Sequence, residues 1–152
     1  MLGAMTFGAK VAMSGLPNIE PVSLMVMLFA VVFGLKGLFP VYLYVAMELL
    51  FFPAGTWAIN YLYIWAILFV AAYFMRKLKN PIFWALLSGA FGMSFGFLCS
   101  FIFFRKGLGY MLAWTASGFP YDIPHAIGNF VIALILFYPL RTLLTKLYKK
   151  MQ

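Results

Sequence analysis

Acidic residues are nearly missing from this chain: three Asp+Glu stand against 11 Lys+Arg in 152 residues. Charge of either sign is scarce too, at 9%, where a water-soluble domain carries about 25%. So few charges cannot cover a body of this length in water. Most soluble classes are therefore excluded, and the 66% hydrophobic share makes lipid the expected solvent. The single cysteine, Cys99, excludes an intramolecular disulfide and a cysteine-cluster metal site. The single histidine, His125, cannot make a zinc site with that one cysteine, and no His-Glu-x-x-His occurs. No Gly-x-x-x-x-Gly-Lys-Ser/Thr is present, so the chain lacks a P-loop for ATP. No Gly-x-Ser-x-Gly elbow is present either. No catalytic residue, metal or cofactor is expected. Asp122 with His125 is the one conceivable acid/base pair, and no nucleophile is spaced to join it.

What is present is apolar runs separated by breaks. A helix needs about 20 apolar residues to cross the hydrocarbon core. Three later runs meet that standard: 57–75, closed by Arg76-Lys77-Leu78-Lys79-Asn80-Pro81; 82–104, closed by Arg105-Lys106-Gly107; and 122–144, leading into a basic tail. Three earlier runs are shorter: 1–16, 22–35 and 38–52. Pro17-Asn18-Ile19-Glu20-Pro21 separates the first two, and two prolines there oppose helix propagation. Gly34-Leu35-Lys36-Gly37 reads as a tight turn, and Pro53-Ala54-Gly55 as another break. The expectation is an all-α integral membrane protein: one transmembrane domain over 1–152, a six-transmembrane-helix bundle. No basic n-region precedes the first run, so no cleavable signal peptide is expected.

Basic residues near helix ends mark the cytoplasmic side. With the N-terminus inside, Lys36, Arg76, Lys77, Lys79, Arg141, Lys146, Lys149 and Lys150 fall inside, and Arg105 and Lys106 outside. Both termini are expected in the cytoplasm. The net charge of +8 is thus topology, and charges split over several short loops make no nucleic-acid footprint.

The three acids gather on the outer half. Glu20 lies in the loop after the first helix, Glu48 one turn before the end of the third, and Asp122 at the start of the sixth. An ionisable group at membrane depth faces a cavity or a partner. Glu48 either points inward, snorkels, or pairs with Lys10. Lys10 itself sits more than halfway across the first run, with Glu48, Asp122 or an anionic ligand group as candidate partners.

Asp122 reads as a helix N-cap with Pro124 in the first turn. Asp122, His125 and Asn129 are spaced by three and four, so they share one helix face. That stripe either lines an outward pocket or makes a cap with two residues bonded to neighbouring helices. Trp57, Tyr61 and Trp65 repeat every four residues, and Trp65 is too deep for an interfacial belt. Their rings suit stacking on a ring-shaped ligand or attraction of a cation. Small residues repeat every four in two places: Ala4, Gly8 and Ala12, and Ser88, Gly92, Gly96 and Ser100. Such ladders let helices approach closely in lipid. The second suits packing inside the bundle, the first either that or another membrane protein.

Three segments carry a family resemblance. They are Leu16-Pro17-Asn18-Ile19-Glu20-Pro21-Val22-Ser23-Leu24; Trp57-Ala58-Ile59-Asn60-Tyr61-Leu62-Tyr63-Ile64-Trp65; and Phe119-Pro120-Tyr121-Asp122-Ile123-Pro124-His125-Ala126-Ile127-Gly128-Asn129, followed by Tyr138-Pro139-Leu140. With length and span count, they make nearly the whole chain resemble the substrate-binding S components of energy-coupling factor (ECF) transporters, bacterial vitamin importers. The resemblance implies a multi-pass protein of the bacterial plasma membrane. It implies capture of a vitamin-like molecule from outside, under a loop between helices one and two. It also implies association with a membrane coupling protein and two cytoplasmic ATPases, and inward release by toppling in the membrane. The coupling protein would touch Ala4, Gly8 and Ala12. The absence of a Met-His start disfavours metal transport.

The expected substrate site comprises Asn18, Glu20, Glu48, Trp57, Asn60, Tyr61, Trp65, Asp122, His125 and Asn129. Acids with aromatics favour a nitrogen heterocycle, neutral or cationic, over a polyanion, although Arg105, Lys106 and Lys10 could serve a carboxylate. His125 would add pH dependence near its ordinary pKa of about 6.5. The alternatives are a membrane scaffold, such as a cell-envelope assembly subunit, and a membrane enzyme.

Overall fold

The structure, a computed structural model, describes residues 1–16 and 18–150. Pro17, the first residue of the expected break, lies outside the described residues. All regular structure among the described residues is helical. The α-helices are α1 (Leu2–Ala12), α2 (Val22–Phe33), α3 (Leu38–Phe51), α4 (Thr56–Phe74), α5 (Pro81–Ser100) and α6 (Leu108–Lys150). A 3-10 turn, Gly34–Gly37, joins α2 to α3, and a second, Phe101–Lys106, extends α5. Among the described residues four helical stretches, 3-10 turns included, are long and apolar enough to cross a membrane: Val22–Phe51, Thr56–Phe74, Pro81–Lys106 and Leu108–Lys150. The expectation of six transmembrane helices is thereby corrected: the expected runs 22–35 and 38–52 fall in one stretch of spanning length, and 1–16 is not among the four. At 1.5 Å per residue, α1, α2 and α3 measure only about 16, 18 and 21 Å, short of a hydrocarbon core of about 30 Å.

The corner between α2 and α3 explains how two short helices occupy one stretch. Gly34 has φ +58°, which side chains resist. A Cβ at Gly37 would fall 2.3 Å from the carbonyl oxygen of Phe29. The chain therefore folds back on α2, and only glycine fits the contact.

Packing fixes the directions of the helices. Along α1 and α3, Gly3 meets Pro40 and Lys10 meets Glu48, so the two run side by side in the same sense. α4 returns against α3: Tyr44 packs on Trp65, and Gly37 faces Phe69. α6 descends antiparallel to α5, with Gly96 at Asp122, Gly92 at Ala126, and Trp84 stacked on Phe137 at 4.6 Å. α2 is the most enclosed helix, burying Val22, Leu24, Met27, Leu28 and Phe29. The Gly34–Gly37 turn, the 75–80 connection and the C-terminal part of α6 meet at one end. There Arg141 reaches the carbonyls of Leu78 and Arg76 at 3.4 and 3.5 Å. Residues 13–16, 18–21, 52–55 and 101–107 lie at the other.

α5 begins as its sequence dictates. Asn80 accepts a hydrogen bond from the Ile82 N–H at 2.9 Å, with Pro81 in the first turn. α6 does not begin where expected. It starts at Leu108 rather than 122, so Asp122 is inside the helix and not its N-cap. Pro120, Pro124 and Pro139 all lie within it. Each lacks the N–H that would bond four residues back; neighbouring groups and local adjustments tolerate such losses in apolar helices. The first helix is also shorter than expected, ending at Ala12 rather than 16.

Candidate functional site

A cavity of about 650 Å³ lies toward the end that holds the loop residues 18–21. Its walls come from α1 (Lys10), that loop (Asn18, Ile19, Glu20), α4 (Tyr61), α5 (Phe95, Gly96, Cys99) and α6 (Tyr121, Asp122, His125). Phe52 borders it after α3. Elements far apart in the chain thus meet around one space.

The loop is fastened across it. Asn18 adopts φ +59°, a left-handed conformation that asparagine tolerates. The chain then turns Ile19 onto α6, where a Cβ at Gly128 would sit 3.0 Å from the Ile19 side chain. Glu20 follows, its Oε1 4.0 Å from His125 Nε2. Burial pushes the Glu20 carboxyl up to about 7, against the pull of Lys10 and helped by the neighbouring Glu48.

Two further polar contacts define the walls. Lys10 Nζ lies 2.5 Å from Glu48 Oε2, joining α1 to α3. Lys10 also sits 5.3 and 5.6 Å from the ring centres of Phe52 and Tyr61, within cation–π range. Asp122 accepts a hydrogen bond from the Gly96 N–H at 3.0 Å. A Cβ at Gly96 would lie 2.5 Å from Asp122 Oδ2, so the absent side chain is what lets the carboxylate reach that backbone. His125 packs edge-on to Phe95 at 4.8 Å. Its Nε2 is buried and has no hydrogen-bond partner among the described residues; the same holds for Glu48 Oε1.

Of the residues expected in the site, Asn18, Glu20, Tyr61, Asp122 and His125 line the cavity. Glu48 stands behind Lys10, one of the partners the sequence offered that lysine. Four others are elsewhere. Trp65 is fully buried in the core against Tyr44, Phe91 and Phe95. Asn129 donates to Ser23 Oγ at 3.0 Å, tying α6 to α2. Asn60 accepts from the Tyr63 hydroxyl at 3.0 Å. Trp57 donates to the Pro53 carbonyl at 3.1 Å. The stripe of α4 therefore serves packing at Trp65 and the cavity at Tyr61. The sequence reading passed over Phe95, Cys99 and Tyr121. A signal for Cys99 was present: it lies three residues beyond Gly96, on the same face of α5.

The two small-residue ladders differ in their surroundings. Gly92 and Gly96 face α6 inside the bundle, and Ser100 meets Thr115 of α6 at 3.0 Å. Ala4, Gly8 and Ala12 are exposed, and a Cβ at Gly8 would meet nothing within 4 Å.

Compared with known protein families, with characterised proteins and with solved structures, the chain matches none.

Proposed function

We propose that this chain is the substrate-capture subunit of an ECF-type importer in a bacterial plasma membrane. It takes up a vitamin-like nitrogen heterocycle from outside. The observation that carries the reading is the cavity: a largely apolar space of about 650 Å³ with a few polar and charged side chains, Lys10, Asn18, Glu20, Asp122 and His125, in its walls. Specific ligand sites span about 300–1,000 Å³ and combine apolar walls with a few placed polar groups. Further support comes from the position of that cavity, at the end opposite Arg76, Lys77, Lys79 and Arg141. By the positive-inside rule it then opens outward, with both termini in the cytoplasm. On this reading the fold-back at Gly34–Gly37 lets α2 and α3 serve as two crossings, and α1 brings the proposed number to six. Because α1 to α3 are short, the bilayer thins or polar flanks snorkel beside them.

The exposed Ala4, Gly8 and Ala12 face docks the membrane coupling protein, and two cytoplasmic ATPases supply the energy this chain has no motif to harvest. The test is a thermal-shift screen of purified chain against vitamins and precursors, with co-purification of the coupling ATPases. A ligand at 100 times its dissociation constant stabilises a folded chain by about 2.7 kcal/mol. Gly8→Leu is expected to block assembly and spare ligand binding. No shift with any compound, together with no association with coupling ATPases, would overturn the proposal.

A further inference from the structure

The charges around the cavity do not cancel evenly. Among the described residues Lys10 from α1 is the one lysine or arginine lining it, against Glu20 from the loop and Asp122 from α6. Lys10 is already held by Glu48 from α3 and by the faces of Phe52 and Tyr61. Its charge is spent on the wall. Glu20 has His125 at 4.0 Å and feels both Lys10 and Glu48, whose charges offset each other, while Asp122 accepts the backbone N–H of Gly96. His125 Nε2 is more than nine-tenths buried and unpartnered among the described residues. An entering anion would meet two carboxylates and no unpaired lysine or arginine. An entering cation would meet those carboxylates in a medium where Coulomb attraction far exceeds its value in water. The aromatic residues Tyr61 and Phe95 line the same space.

We infer that the cavity takes a small organic cation, its N–H donors set between Glu20 and Asp122 with His125 beside them. This rests on the capture reading and names the charge class of its substrate. A neutral heterocycle and a carboxylate-bearing vitamin are thereby disfavoured.

Cys99 makes the inference testable without a known ligand, because the sole thiol of the chain lines the cavity. Purified chain is treated at pH 8 with the cationic aminoethyl or the anionic sulfonatoethyl methanethiosulfonate. Each rate of Cys99 labelling, read by mass spectrometry, is divided by that reagent's rate with a small free thiol. The normalised preference for the cation is expected to be about tenfold, the low end of what a cleft of one sign does to local counter-ion concentration. It should fall toward one in the Glu20→Gln/Asp122→Asn double variant. Should that variant fail to fold, Glu20→Gln alone, in a loop, should still lower it severalfold. An equal or reversed preference overturns the inference, as does a ratio that folded variants leave unchanged. Labelling of denatured but not folded chain by either reagent overturns it too, since no solute then enters. The measurement needs neither coupling protein nor nucleotide. A reversed preference therefore removes the cation and leaves the importer assembly standing, whereas failure to assemble removes the importer and leaves the charge preference standing.

Discussion

Glu20 concentrates the chemistry of the site in one side chain. Its carboxyl has an ordinary value of 4.5 in the unfolded chain and about 7 in the folded one. Between those values the folded chain holds a proton that the unfolded chain has lost. Stability from this group is therefore full below about 4.5 and falls as pH rises through about 7. The groups around it are Lys10, Glu48, Tyr61, Asp122, His125 and Cys99, so the comparison must be with Glu20→Gln. Wild type minus variant, the melting temperature should decline from pH 5 to pH 8. A cationic ligand needs the ionised form, so its affinity should rise over the same range and flatten in the variant. Identical pH profiles in both proteins would place the carboxyl in water. Much of this was legible beforehand. The spacing of Asp122 and His125 puts both on one helix face, and both line the cavity. Trp65 was misplaced because a four-residue repeat gives a helix face but not what that face meets. Its ring meets Tyr44 and Phe91 in the core, while Tyr61 one turn away reaches the cavity. The Lys10–Glu48 contact stayed one option among several, since the two are 38 residues apart in the chain.

α6 shows why helix boundaries were harder to read than helices. Pro120, Asp122 and Pro124 together resemble a start, because proline suits a first turn and aspartate a cap. The helix nevertheless runs for 43 residues from Leu108, about 65 Å. Its early part packs on the preceding 3-10 turn, with Trp114 4.3 Å from Phe103 and Thr115 hydrogen-bonded to Ser100. Those tertiary contacts favour helix where local signals favour a break. The pairing of α5 with α6 depends on small residues, and this gives a prediction. A Cβ at Gly92 would lie 2.9 Å from the Ala126 backbone, which cannot swing aside as a side chain would. Gly92→Ala should destabilise the purified chain by about 1–3 kcal/mol, as overpacking does. At Gly8 the space is open, so Gly8→Ala should not destabilise the chain and should raise its stability by up to about 1 kcal/mol through helix propensity. Equilibrium unfolding in detergent would check both, and equal effects would mean the two ladders share one environment.

For the whole molecule, charge sets the frame in which a cavity and a docking face can work together. The contacts of Arg141 with Leu78 and Arg76 draw basic segments 65 residues apart to one end. Lys36 in the α2–α3 turn stands at that same end, where Gly34 faces Tyr73. The cavity and Glu20 are toward the opposite end. A capture subunit needs this separation, because its substrate arrives on one side and its ATPases act on the other. The topology test follows. Green fluorescent protein fused after Lys150 should fluoresce, and alkaline phosphatase there should be inactive, because that end is expected in the cytoplasm. Phosphatase inserted at Gly55 or Gly107 should be active. A reporter at Lys36 separates six crossings from four. If the chain crosses twice between Val22 and Phe51, Lys36 reports a cytoplasmic position while Glu20 and Gly55 report outside. If that stretch crosses once, positions 20 and 55 must report opposite sides. An active phosphatase after Lys150 would invert the arrangement, turning the cavity toward the cytoplasm and ruling out capture from outside. Neutralising Arg76, Lys77 and Lys79 while adding lysines at Gly107 should weaken the orientation and give both reporters partial activity. Orientation that ignored this exchange would show that something other than the basic residues holds the chain in place.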